Sequence, residues 1–156
     1  MKIEIDGAHS GIRFSACHFI AGHEKCARLH GHSYIVRLAV EGAIGSDGMI
    51  MDFVVLKRAL RQMVDGLDHR VLLPGNSKDA KIDIGDETTI VSRGKRYVFP
   101  TEDVVILDVE HTTAEEMVAM MLEGLISEVD IPENVTAVHL GLDEERGQTA
   151  WAMRRV

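Results

Sequence analysis

Cys26-Ala27-Arg28-Leu29-His30-Gly31-His32 runs directly into Ser33-Tyr34-Ile35-Val36-Arg37-Leu38-Ala39-Val40-Glu41. In the second half Tyr34, Val36, Leu38 and Val40 fall on one face and Arg37 and Glu41 on the other, the alternation of a half-buried strand. Extended backbone puts residues i and i+2 on the same face, so His30 and His32 can present both imidazoles to one metal ion. The glycine between them removes a side chain from the opposite face.

The flanking segments extend the pattern. Lys2 to Asp6 and Gly11 to Cys17 alternate as two short strands, and His9-Ser10-Gly11 has turn character, so a first hairpin is expected. Downstream, Gly42 to Gly48 reads as a turn and Asp52 as the N-cap of a helix to about Gly66, with Phe53, Leu56, Leu60, Met63, Val64 and Leu67 in one apolar stripe. Pro74-Gly75-Asn76, Gly85-Asp86, Ser92-Arg93-Gly94 and Pro100 cut residues 74 to 107 into short pieces, which predicts an extra hairpin or two. Thr113-x-x-Glu116 fits a capping box for a second helix, with Met117, Val118, Met121, Leu122 and Leu125 buried and a stop before Pro132. Val135 to Leu142 and Gln148 to Arg154 alternate again, joined by the polar Asp143-Glu144-Glu145-Arg146-Gly147. Strands and helices that do not alternate strictly point to an α+β fold, an antiparallel sheet with helices on one face.

Bulk properties narrow the class. The chain has 156 residues, 46% of them hydrophobic and 27% charged, which is enough for one compact core and short for two, so residues 1 to 156 read as a single domain. A formal net charge of −8 repels a phosphate backbone, and no Lys/Arg run compensates, which argues against nucleic acid. Met1-Lys2-Ile3-Glu4-Ile5-Asp6 lacks the apolar run of a secretory signal, and no segment approaches a membrane span. With two cysteines, Cys17 and Cys26, the expectation is reduced thiols in a cytoplasmic compartment.

His18, at the end of Phe14-Ser15-Ala16-Cys17-His18, offers a third imidazole. Three histidines leave one position open, the catalytic type of zinc site; with Cys26 as a fourth ligand the same residues would instead close a structural one. Alternation turns Cys17 away from the face of His18, as a small buried residue. His9, His23, His111 and His139 have no partner at ligand spacing. In Leu67-Asp68-His69-Arg70 a carboxylate adjoins an imidazole and can orient it as a proton donor or acceptor, although the dipeptide is common. Glu144 can accept two parallel hydrogen bonds from an amidine-like edge, such as N2 and N3 of a pterin; the alternative is a solvated turn charge beside Asp143 and Glu145.

These signals occur in an order that resembles the 6-pyruvoyltetrahydropterin synthase family, including its 6-carboxytetrahydropterin synthase branch. Phe14 to His18 is similar to the family's FSAAH segment, and Cys26 to His32 to its CxxxHGH. Gly48-Met49-Ile50-Met51-Asp52-Phe53 with Leu56-Lys57 resembles GMVxDFxxLK, Leu67-Asp68-His69 resembles LDH, and Thr113-Ala114-Glu115 resembles the TAEN start of the second helix. Glu144, six residues before Ala150, resembles the glutamate of the closing hairpin.

The resemblance implies a tunnelling fold (T-fold): an antiparallel four-stranded sheet with two helices on one face, here with an extra hairpin insert, assembled as trimers that pair into a homo-hexamer with active sites between subunits. It implies that His18, His30 and His32 bind zinc, Cys26 is the catalytic base, Asp68 and His69 complete a proton relay, and Glu144 anchors the pterin with Thr113 and Glu115 nearby. The implied activity is 6-carboxytetrahydropterin synthase, acting on dihydroneopterin triphosphate to give the carboxy product, acetaldehyde and triphosphate for 7-deazaguanine synthesis. The alternatives are 6-pyruvoyltetrahydropterin synthase and, in another class, a non-catalytic structural-zinc binding module. The sequence departs from the family at Glu145, where threonine is usual, at His111, and in the long 74 to 107 segment, which resembles archaeal members.

Overall fold

The computed structural model describes residues 1–145 and 147–156; Arg146, in the polar link near the C-terminus, lies outside them. The first two strands, β1 (Lys2–Asp6) and β2 (Arg13–His18), do not form the expected hairpin. Both run antiparallel along the same side of β3 (His30–Gly42): Lys2 faces Glu41 and Asp6 faces Arg37, then Arg13 faces Ile35 and His18 faces His30. They make one row, interrupted by the single helical turn α1 (Gly7–Ser10). Asp6 Oδ1 caps that turn by accepting from the Ala8 N–H at 2.9 Å, and Gly11 closes it at φ +70°. Gly7 explains the interruption. A Cβ there would lie 2.0 Å from the Val36 carbonyl oxygen and 2.5 Å from that of Ile12, so only glycine lets the backbone pass so close to β3.

Helix α2 (Phe53–Asp65) starts where Asp52 Oδ1 accepts from the Val54 N–H at 2.7 Å. Its buried stripe comprises Leu56, Leu60 and Val64; Phe53 is 44% exposed, so burial begins one turn into the helix. Strand β4 (Arg70–Pro74) then pairs parallel to β2. The segment expected to hold a hairpin or two is a separate three-stranded antiparallel sheet, β5 (Ala80–Ile84), β6 (Glu87–Ser92) and β7 (Lys95–Pro100), followed by β8 (Val104–Leu107) parallel to β4. Thr113 Oγ1 accepts from the Glu116 N–H to cap α3 (Ala114–Glu128). The capping box is not closed from the other side. The Glu116 carboxylate accepts instead from the Glu110 and His111 N–H groups at 2.8 and 3.0 Å, tying down the loop before the helix.

Strands β9 (Val135–Glu145) and β10 (Gln148–Arg155) close the chain as an antiparallel pair, with β9 on the free side of β3. The main sheet therefore runs β10, β9, β3, the β1/β2 row, β4, β8. Its antiparallel part has the expected four rows; β4 and β8 extend it by parallel pairing, which requires the crossovers that α2 and the insert supply. On one face Phe14, Tyr34, Val36, Leu38, Leu140 and Leu142 meet the buried sides of α2 and α3. On the other, Val71 and Leu73 join Phe19 and Ile90 in a small second cluster beneath the insert, with Tyr97 and Phe99 against it.

Candidate metal centre and active site

Register brings the three histidines together. His18 ends β2 directly opposite His30, and His32 follows two residues on along β3. The ring centroids lie 4.6 Å apart for His18 and His30, 5.2 Å for His18 and His32, and 5.0 Å for His30 and His32. One ligand nitrogen from each falls within 4.8 Å of the other two. Gly31 between them sits against the Ala16 carbonyl, where a Cβ would approach to 3.2 Å.

Backbone carbonyls set two of the rings. His18 Nδ1–H donates to the Thr112 carbonyl at 2.7 Å and His30 Nδ1–H donates to that of Arg28 at 2.6 Å, which leaves each Nε2 as the lone-pair nitrogen. Thr112 is itself fully buried and fixed, its hydroxyl donating to the Phe19 carbonyl at 2.9 Å. His18 is also fully buried, and burial is the main reason its pKa falls to about 4; the Thr112 bond opposes the shift, and His30 and His32 add to it. The neutral ring keeps a buried Nε2 that, like His32 Nδ1, has no hydrogen-bond partner among the described residues. A buried Nε2 of this kind on His18, with one nitrogen each of His30 and His32 within 4.8 Å of it, is what a metal site provides.

Glu144 faces this cluster, its Oε1 3.5 Å from His18 Nε2 and 3.6 Å from His32 Nε2. β9 runs through Glu145, so the polar stretch expected to be a turn is largely strand. Asp143 is not a solvated charge: it is 2% exposed, held by Arg37 and by the Thr149 hydroxyl at 2.7 Å. Tyr34, read from sequence only as a core position, adds a buried hydroxyl with no partner among the described residues, and its ring meets those of His18 and His32 edge-on at 6.1 and 5.7 Å. Burial first, and the Glu144 charge second, push the Tyr34 pKa up.

Cys26 lies outside the histidine cluster, half-buried in the loop between β2 and β3. Its carbonyl accepts from the Ile20 N–H at 2.8 Å and its N–H donates to His23 Nδ1 at 3.1 Å. Cys17 points to the opposite face from His18, where burial raises its thiol pKa. Asp68 accepts from the Ser15 N–H through Oδ1 and from His69 Nδ1 through Oδ2, both at 2.8 Å; the Ser15 bond leads in lowering its pKa. His69 adopts φ +56° and is anchored by its N–H to the Ser15 carbonyl. His32, His69 and Glu145 line a common cleft of ≈ 710 Å³ with Ser15, Cys17 and Asp103. Thr113 follows the carbonyl that holds His18 and spends its own side chain on the helix cap, whereas Glu115 is exposed on the first turn of α3.

A family model, 6-pyruvoyl tetrahydropterin synthase, matches residues 9–155. The chain belongs to this family. A protein of Methanocaldococcus jannaschii named as a 6-carboxy-5,6,7,8-tetrahydropterin synthase is 31% identical over 154 residues, covering 96% of this chain and 94% of its own length. A Rickettsia felis 6-carboxy-5,6,7,8-tetrahydropterin synthase is 38% identical over 72 residues, 44% of this chain and 51% of the relative. Among solved structures, a catalytic-residue mutant of Plasmodium vivax 6-pyruvoyltetrahydropterin synthase superposes with a TM-score of 0.92 at 31% identity, covering 100% of this chain and 98% of that one. The Plasmodium falciparum 6-pyruvoyl tetrahydropterin synthase gives 0.93 at 27% identity over the same shares. The α+β architecture is thus the T-fold of this family, insert included.

Proposed function

We propose that the chain is a zinc-dependent 6-carboxy-5,6,7,8-tetrahydropterin synthase, a single-domain lyase that converts 7,8-dihydroneopterin triphosphate and water to 6-carboxytetrahydropterin, acetaldehyde and triphosphate. The observation that carries this reading is the triad of His18, His30 and His32, with Cys26 close in sequence but outside the ligand cluster. Three clustered imidazoles, two of them with Nδ1 committed to a carbonyl, fit zinc and leave a coordination position open. When bound, the ion supplies Lewis acidity toward the hydroxyl oxygens of the substrate side chain.

The protein's own groups do the rest. Cys26 removes a proton from the side-chain carbon, Asp68 orients His69 for proton transfer, and Glu144 accepts from the pterin's N2 and N3 groups beside Thr113 and Glu115. The outer strand β10 exposes Trp151 and Met153 on an edge with no strand beyond it among the described residues, which supports assembly into a homo-hexamer with sites between subunits. Among the described residues no helix is long and apolar enough to cross a membrane. Two free thiols suit a reducing, cytoplasmic compartment, and the whole-length likeness to a 6-carboxy-5,6,7,8-tetrahydropterin synthase supports a place in 7-deazaguanine synthesis.

The test is acetaldehyde release from dihydroneopterin triphosphate by zinc-loaded protein. Stoichiometric acetaldehyde that disappears in Cys26→Ala is the expected result, and its absence would sink the assignment. The whole-chain likeness to 6-pyruvoyltetrahydropterin synthases favours a second reading, in which triphosphate leaves but the three-carbon side chain is kept.

A further inference from the structure

Between the Cys26 loop and the turn that joins β6 to β7 lies a second, smaller cleft of ≈ 320 Å³, lined by Glu24, Ala27, Arg28, Arg93 and Lys95. Three cations against one carboxylate stand out in a chain of net charge −8. The Lys and Arg ion pairs among the described residues use Lys2, Arg37, Lys78 and Arg154 instead, so these three side chains keep their charge for another partner.

The cleft is built onto the metal centre. Arg28 supplies the carbonyl that orients His30. Arg93 Nη1 donates to the His23 carbonyl at 2.6 Å, and His23 Nδ1 accepts from the Cys26 N–H, so the guanidinium is fixed against the Cys26 loop, and its remaining N–H groups have no partner among the described residues. The insert as a whole is pinned there, with Tyr97 of β7 stacked on Phe19 at 5.8 Å. A triphosphate is a dense anion that this chain's overall field repels, so it needs a local cationic seat. Two guanidiniums and an ammonium suit it, the former by bidentate geometry and the latter as a point charge.

We propose that the Arg28, Arg93 and Lys95 cleft receives the triphosphate end of the substrate, an inference that rests on the pterin triphosphate reading above. The insert thereby becomes part of the site, because β7 and the turn before it bring two of the three cations to the loop that carries Cys26 and, through the Arg28 carbonyl, orients His30.

The test compares zinc-loaded wild type with the double variant Arg28→Ala/Lys95→Ala, two exposed positions whose truncation leaves the core intact; Arg93 is kept because it also holds the loop. Each protein is titrated calorimetrically with inorganic tripolyphosphate and, separately, with phosphate-free dihydroneopterin. The expected result is tripolyphosphate binding weakened by about tenfold or more with dihydroneopterin affinity unchanged. Equal tripolyphosphate affinity in both proteins, or none in either, overturns the subsite. Failure of wild type to bind dihydroneopterin while the tripolyphosphate difference holds confirms a polyphosphate cleft and sinks the pterin reading instead.

Discussion

Arg37 and Asp143 are joined across β3 and β9 by Nε, 3.0 Å from Oδ2, and by Nη2, 2.9 Å from the same oxygen, one residue before Glu144. Arg37 also reaches Asp6 Oδ1 at 3.1 Å, so one guanidinium ties the end of β1, the middle of β3 and the end of β9. Arg37→Met is expected to leave the buried Asp143 carboxylate unpaired and cost about 3 kcal/mol, read as a lower urea midpoint. Because Asp143 fixes the strand that presents Glu144, pterin affinity should fall with it, whereas zinc content should not.

Gly7→Ala tests the broken row. The added Cβ would meet two backbone carbonyl oxygens, at 2.0 Å for Val36 and 2.5 Å for Ile12, and neither can move without shifting β3 or the entry to β2. Loss of about 3 kcal/mol or more is expected, seen as a drop in thermal midpoint, while Gly124→Ala, at a position where nothing lies within 4 Å, should be neutral or stabilising.

The acid stability of the metal-free protein should follow His18. Its folded pKa is about 4 against 6.5 unfolded, so between those values the unfolded chain binds a proton that the folded chain refuses. Stability is therefore full above 6.5 and declines as pH falls toward 4, by about 3 kcal/mol in all. Urea titrations at the two ends of this window measure the loss, and His18→Gln should flatten it.

Much of this centre is legible in the sequence, because strand alternation alone places His30, His32 and Tyr34 on the face that His18 shares across the register. Two kinds of feature are not. The first is any contact made through backbone, such as the Thr112 carbonyl on His18: a carbonyl has no residue type to read, and Thr112 is remote in sequence from β2. The second is pairing between strands. Alternation shows that β1 and β2 are strands, but the close passage of Gly7 over Val36, where an added Cβ would lie 2.0 Å from the carbonyl oxygen, exists only after folding. Asp143 is misjudged for a related reason: its partner Arg37 is 106 residues away, so composition reports a charged turn where the fold has a buried pair.

Thr112→Val removes the hydroxyl that donates to the Phe19 carbonyl while keeping the carbonyl that holds His18. The orphaned Phe19 carbonyl should cost about 1–3 kcal/mol. If the hydroxyl fixes the loop that orients His18, zinc affinity should also fall about tenfold or more, measured by chelator competition. Unchanged affinity would show that the Glu116 carboxylate and the Asn76 bonds to Asp108 and Val109 hold the loop without the hydroxyl.

Metal stoichiometry separates the open site from the closed one. A closed tetrahedral site would need Cys26 as its fourth ligand, and Cys26→Ala would then lose zinc along with the fold it stabilises. In the structure Cys26 lies outside the cluster whose nitrogens fall within 4.8 Å of one another, and its backbone, not its thiol, ties the loop to Ile20 and His23. Cys26→Ala is therefore expected to keep one zinc per chain and the wild-type melting temperature while losing turnover. His30→Ala is expected to lose both metal and turnover, because it removes one of three ligands. Zinc measured by plasma emission on the purified variants reads the two outcomes directly, and a metal-free Cys26→Ala protein would return the site to a structural role.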